Sequence, residues 1–184
     1  MELTNRKARS SQRGMSLIEL MIASLVLIVG VLGCAALIPI AIGTNSRNRQ
    51  QSNSTVIAQM TMEKIMSLPV GTLTGTMTDC ATPANTYTIN TAGSTAGTGA
   101  TLLSSGTVDF TQTPGGAGAP AGYYLLYTTC STSGGQSTFD VRWNIQTPSA
   151  YVKLVTVSAQ LRGRGANQIL FSLPVTIRSM VGGS

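Results

Sequence analysis

The sequence predicts an α+β fold in which one long N-terminal helix packs on a C-terminal antiparallel β-sheet. Three observations carry this expectation. Residues 20–43 hold no charged side chain and are mostly apolar. Residues 44–69 begin polar and become amphipathic at helical spacing. The last third is rich in β-branched and aromatic residues broken by turn signals. The 184 residues suit one modest domain with an appendage. They divide into a basic leader (1–14), a membrane-length helix (15–43) and its amphipathic continuation (44–69). A Gly-, Thr- and Ala-rich loop region (70–121) and a β-meander (122–184) follow.

In the leader, Arg6, Lys7, Arg9 and Arg13 precede Gly14, with Glu2 their one acidic neighbour. The chain carries a net charge of +6, but from Met15 onward eight basic and five acidic residues leave only +3. Without a Lys/Arg cluster or much aromatic interleaving, that is a solvated basic surface and not a specific nucleic-acid interface.

The uncharged run of 24 residues makes about 36 Å of helix, enough for a hydrocarbon core of about 30 Å. Basic residues before it keep the N-terminus cytoplasmic and export the rest. A cleaved signal peptide would have a shorter apolar run, roughly 7–15 residues. A plain membrane anchor fits the length. A membrane helix whose carboxylate has a task accounts for Glu19 as well, because a charge beside hydrocarbon is costly without a partner. "VLGC", residues 31–34, resembles a lipobox with Cys34 as the lipidated residue. Against that, Glu19 would interrupt the signal region, and apolar "AALIPIAIG" follows where a polar tether is expected. Gly30 and Gly33 mark one helix face where a neighbouring helix can approach closely. Pro39 removes a backbone hydrogen bond and favours a kink. These residue types are also simply commoner in membrane helices.

Past the run, Ile57, Thr61, Ile65 and Leu68 share a face, with Val56 and Met60 beside them and Glu63 and Lys64 away from it. Pro69 and Gly71 stop the helix. One helix from Ser16 to Leu68 is expected, its Met-rich stripe serving as core. Residues 70–121 read as loops with short strands at 87–89 and 107–110. Asn53-Ser54-Thr55 matches a glycosylation triplet but falls within the helix.

Four β-segments follow: "GYYLLYTTC", "TFDVRWNIQ", "YVKLVTVSAQL" and "QILFSLPVTIR". In the second, Phe139, Val141, Trp143 and Ile145 lie opposite Asp140, Arg142, Asn144 and Gln146, the pattern of a half-buried strand. The joins "STSGGQS", "TPSA" and "RGRGAN" suit antiparallel neighbours, so a four-stranded meander on the second half of the helix is the economical architecture.

Cys34 lies in the apolar run; Cys80 and Cys130 lie in the polar part. Outside the cytoplasm the latter two can pair, closing a loop of about fifty residues for roughly 4 kcal/mol on the chain-entropy account; two unrelated buried thiols are the alternative. The chain has no histidine. That removes Ser-His-Asp and Cys-His nucleophilic sites and most transition-metal sites. Neither paired carboxylates, nor a calcium loop, nor a phosphate-binding glycine motif is signalled. No catalytic activity, metal or cofactor is expected.

The segment "RGMSLIELMIASLVLIVGVLG" resembles the N-terminus of a type IV prepilin. A short basic leader ends at Gly14, Met15 becomes the first mature residue, and Glu19 stands at the fifth mature position. The resemblance implies cleavage after Gly14 by a prepilin peptidase on the cytoplasmic side and N-methylation of Met15. It implies a pilin fold, and residence in the inner membrane with the C-terminal domain periplasmic or extracellular. The helix would then pack against other pilin subunits in a filament at the cell surface, helped by an inner-membrane assembly platform. It also implies that Glu19 pairs with the free α-amino group of Met15 on a neighbouring subunit, a desolvated pair that would set register. Met15 departs from the family's usual phenylalanine, and Ala36 stands where major pilins usually carry the proline found here as Pro39. More loosely, the helix and the late strands resemble minor pilins of the PilV type. A type II secretion pseudopilin and a non-polymerising membrane- or lipid-anchored binding protein are the rivals. No residue supports an adhesin or DNA-uptake role.

Overall fold

A computed structural model describes residues 15–69, 72–130, 136–162 and 173–182. The leader with Gly14, the helix-stop residue Gly71, most of the expected joins after Cys130 and Arg162, and the start of the fourth β-segment lie outside the described residues. The chain divides into two units near residue 45.

The elements run α1 (Leu17–Met66), β1 (Thr74–Thr78), β2 (Thr86–Asn90), β3 (Thr98–Gly99), β4 (Tyr124–Thr128), β5 (Thr138–Ser149), β6 (Val152–Arg162) and β7 (Val175–Gly182). The α+β class expected from the sequence is the one observed. The helix is continuous for 50 residues and keeps Pro39 within it.

In the first unit, the large apolar side chains between Met15 and Ile42 are all more than half exposed. Among the described residues, nothing covers them. A helix satisfies its own backbone hydrogen bonds, so this stretch suits a medium that offers none. Among the described residues, α1 is the one helix long and apolar enough to cross a membrane. A side chain at Gly30 or Gly33 would meet nothing within 4 Å, so both positions are open to a neighbour.

In the second unit, α1 buries Ser54, Ile57, Ala58, Thr61, Met62 and Ile65. Ile57, Thr61 and Ile65 lie on the expected face. The flanking core residues are Ala58 and Met62, however, while Val56 remains 58% exposed and Met60 half-buried. The contact stripe is therefore rotated to the opposite flank of the one expected. Thr61 is accommodated because its hydroxyl donates to the Ile57 carbonyl at 2.9 Å.

Strands β4, β5, β6 and β7 form the expected antiparallel meander. β3 adds to the same edge of β5 as β4, further along the strand, pairing Gly99 with Asn144. The core joins Ile57, Met62 and Ile65 of α1 to Leu125, Phe139, Val141, Trp143, Ile145, Val155 and Val157. Trp143 is fully buried, and its indole N–H donates to the Asn90 carbonyl at 2.9 Å. β1 and β2 form a separate two-stranded sheet.

Two expectations are corrected. The 107–110 strand does not form: Val108 makes one isolated bridge, with Leu102. And β5 is buried on both faces, not half-buried, from Phe139 through Ile145. Its polar side is covered by the Gly-rich segment, which Arg142 holds. The Arg142 guanidinium donates to both carboxylate oxygens of Asp140 at 2.9 and 2.6 Å and to the Asp109 carbonyl at 3.0 Å. It also lies 4.9 Å from the centre of the Phe110 ring. Asn144 donates to the Ala100 carbonyl at 2.9 Å, and Arg178 of β7 to that of Gly106. The cover approaches so closely at Gly99 that a Cβ there would sit 2.5 Å from the Trp143 carbonyl, and its φ of 112° favours glycine. The 107–110 residues are thus spent on Arg142 instead of on a strand ladder.

Removing one partner of a buried ion pair leaves an uncompensated charge. Asp140→Ala should lower stability by about 3–5 kcal/mol, whereas replacing both partners by apolar residues should cost less. Thermal unfolding of the detergent-solubilised, oxidised chain measures the difference.

Candidate functional site

The N-terminal site is built on the first turn of α1. The Leu20 N–H donates to the Ser16 carbonyl at 3.1 Å, so Ser16 is the residue that opens the helix. Glu19 stands in that first turn. Ser16 and Glu19 have the Ser-x-x-Glu spacing of a capping box, and the helix dipole favours a carboxylate there by about 0.3–1 kcal/mol. This local reason for Glu19 went unread in the sequence, although the spacing was visible. Met15 immediately precedes this turn and is 67% exposed. Gly14 lies outside the described residues. Among the described residues Glu19 makes no ion pair.

Farther along the helix, Gly30, Gly33 and Pro39 are likewise exposed on a helix that stays unbroken. Cys34 is a free, exposed thiol.

The second feature brings together residues far apart in sequence. Cys80 and Cys130 are bonded, their Cα atoms 5.0 Å apart. The Cys80 N–H donates to the Thr128 carbonyl at 3.1 Å, which sets the end of β1 beside the end of β4. Asp79 fastens this corner. Its carboxylate accepts from the Asn85 N–H (2.7 Å), the Asn85 amide (3.1 Å) and the Ala81 N–H (3.2 Å), with Thr128 N–H at 3.4 Å. Burial alone would raise the Asp79 pKa; the donors from Asn85, Ala81 and Thr128 outweigh it and hold the group below its ordinary value. The Thr111 hydroxyl and N–H and the Gln112 amide similarly hold Asp109 low, against a smaller effect of burial. Nothing in the sequence pattern marked Asp79, because its donors come from a loop and from a strand 49 residues away. Among the described residues, no group of His, Cys, Asp or Glu is placed to hold a metal ion.

A family model described as the prokaryotic N-terminal methylation motif matches residues 9–35. The match spans the end of the basic leader from Arg9, Gly14, Met15, Glu19 and the first two-thirds of the apolar run. It supports a type IV pilin-like or pseudopilin protein, and it implies processing by a prepilin peptidase and pilin-type assembly. The matched segment with its apolar helix is consistent with a membrane-anchored protein of that kind. Neither a curated protein nor a solved structure matches the chain.

The carboxyls of Asp79 and Asp109 have folded-state pKa values below their unfolded ones. Their stabilisation is therefore present above the unfolded value, about 3.9, and is lost as pH falls through the folded values. The melting temperature of the oxidised chain should accordingly drop below about pH 4. Asp79→Asn should melt lower at pH 7 and show a shallower acid slope.

Proposed function

We propose that the chain is a structural subunit of a type IV pilus, of the minor, PilV-like kind, with no enzymatic role. It is cut after Gly14, N-methylated at Met15 and assembled through its N-terminal helix. One observation carries this reading. The methylation motif coincides with a first-turn Glu19 at the head of an apolar helix that continues into an oxidised domain. Glu19 at the hydrocarbon edge needs an opposite charge, and the amine freed at Met15 of a neighbouring subunit supplies it. The open positions Gly30 and Gly33 let neighbouring helices come close.

The same motif favours a second reading, a type II secretion pseudopilin. Deleting the protein separates the two: loss of surface pili supports the first, and loss of enzyme secretion with pili intact supports the second.

Intact-mass measurement of the membrane-fraction protein should show loss of residues 1–14 and one added methyl group. Gly14→Ala should retain the leader; normal maturation of that variant would overturn the cleavage assignment. Glu19→Ala should still be cleaved, yet appear in sheared filaments at roughly a tenth of the normal level or less. Equal incorporation would show that the carboxylate has no assembly role.

A further inference from the structure

In the second unit, charge is sorted between interior and surface. Among its described residues, Asp79, Asp109 and Asp140 are buried, only 5, 7 and 8% exposed, which leaves Glu63 as the one exposed carboxylate. Of the described cations Arg142 alone is buried, while Arg47, Arg49, Arg162 and Arg178 are exposed. The solvent face is therefore more basic than the net charge of +3 from Met15 onward conveys.

Three of these arginines gather at the end where α1 enters the unit. Arg49, with Ser46 and Gln50, faces Thr129, Cys130 and Ser137 across a groove. Arg47 stands about half a turn away on the same helix. Thr138, next to Ser137, pairs with Arg162, so the last residue of β6 reaches the same end. Among the described residues neither Arg49 nor Arg162 has an ion-pair partner. Residues 20–62 and 141–184 hold no acidic side chain. Asp79 does lie at this end, but its carboxylate is engaged by Asn85, Ala81 and Thr128.

We propose that this end of the unit binds the headgroups of anionic phospholipids. Arg47 and Arg49 follow Gly43, where the uncharged run ends, by four and six residues, about 6 and 9 Å of helix. A headgroup layer adds about 5–7 Å to each side of the hydrocarbon core. Arg47 thus falls within that layer, and Arg49 and Arg162 meet its outer surface with long side chains that reach down to it. Ser46, Gln50, Thr129 and Ser137 offer hydrogen bonds to a hydroxylated headgroup. Arginines that flank a membrane helix away from the cytoplasm run against the usual bias, and a phosphate partner accounts for them. A nucleic-acid track would need cations spread along the unit. Lys153, however, lies nine residues from Arg162 on β6, about 30 Å away, and Arg178 is held by the Gly106 carbonyl. The side of the membrane that the arginines face rests on the pilus reading.

Local fluorescence quenching tests the site on the full chain. Cys34→Ser and Ser46→Cys are introduced, the Cys80–Cys130 bond is kept, and the thiol at position 46 is labelled with bimane. The chain is reconstituted in phosphatidylcholine vesicles containing either phosphatidylglycerol or phosphatidylcholine with a nitroxide high on the acyl chain. The label lies beyond the apolar run from the leader, so the leader's own basic residues do not reach it. Phosphatidylglycerol should quench at a severalfold lower mole fraction than phosphatidylcholine. That preference should fall about fivefold in Arg49→Gln and in Arg162→Gln, and stay unchanged in Lys153→Gln. Equal quenching by the two lipids, a preference indifferent to both arginine substitutions, or an equal loss in Lys153→Gln overturns the lipid site alone. Displacement of spin-labelled phosphatidylglycerol by a DNA duplex at lower phosphate concentration assigns the arginines to nucleic acid and overturns it too. A label that no spin-labelled lipid quenches overturns the membrane placement in the pilus reading, and the lipid site with it.

Discussion

A guanidinium buried in the middle of a sheet governs the β-rich domain. Arg142 is 2% exposed on the central strand, and a charge so placed must be paired and hydrogen-bonded on every side. Asp140, two residues away, supplies the charge. The Asp109 carbonyl and the Phe110 ring complete the enclosure. These groups come from a Gly-rich segment that would otherwise have little reason to order. Once it lies across the sheet, Ala100 receives Asn144, and Gly99 must be a residue without a side chain. The apolar face of β5 meets α1 while its polar face meets this cover, so the strand with the most obvious alternation is buried on both sides.

The N-terminal half of α1 obeys the reverse constraint. Its backbone is satisfied internally, while its large apolar side chains are more than half exposed among the described residues. Its one charged group, Glu19, sits where the dipole of its own helix is most favourable to it. The local geometry thus lowers the cost of keeping a carboxylate beside an apolar stretch.

Much of this was legible in the sequence because it is periodic. The 3.6-residue repeat of Ile57, Thr61 and Ile65 and the two-residue repeat of Phe139, Val141, Trp143 and Ile145 locate helix and strand without tertiary information. The leader, Gly14 and Glu19 could be read together because they are adjacent. What escaped notice depends on distant partners. Alternation shows which side chains share a face, but not that the polar face of β5 is covered. Val56 and Met60 looked like core because the stripe is wide and only packing decides its centre. β1 is short and made of Thr and Gly, with Met77 its one large apolar residue, so it carries little strand signal of its own. Pairing with β2 makes it a strand.

The Cys80–Cys130 bond spans a stretch that contains β2, β3 and all the residues that cover Arg142. That layer hangs between two fixed posts. Entropy charges little for slack in such a span: doubling the length of a flexible loop costs only about 0.6 kcal/mol. Insertions or deletions between the anchoring contacts, in turns such as 113–118, can therefore reshape the exterior without altering the strands beneath. The domain is built so that its outward appearance can diversify while its frame and its N-terminal helix stay constant.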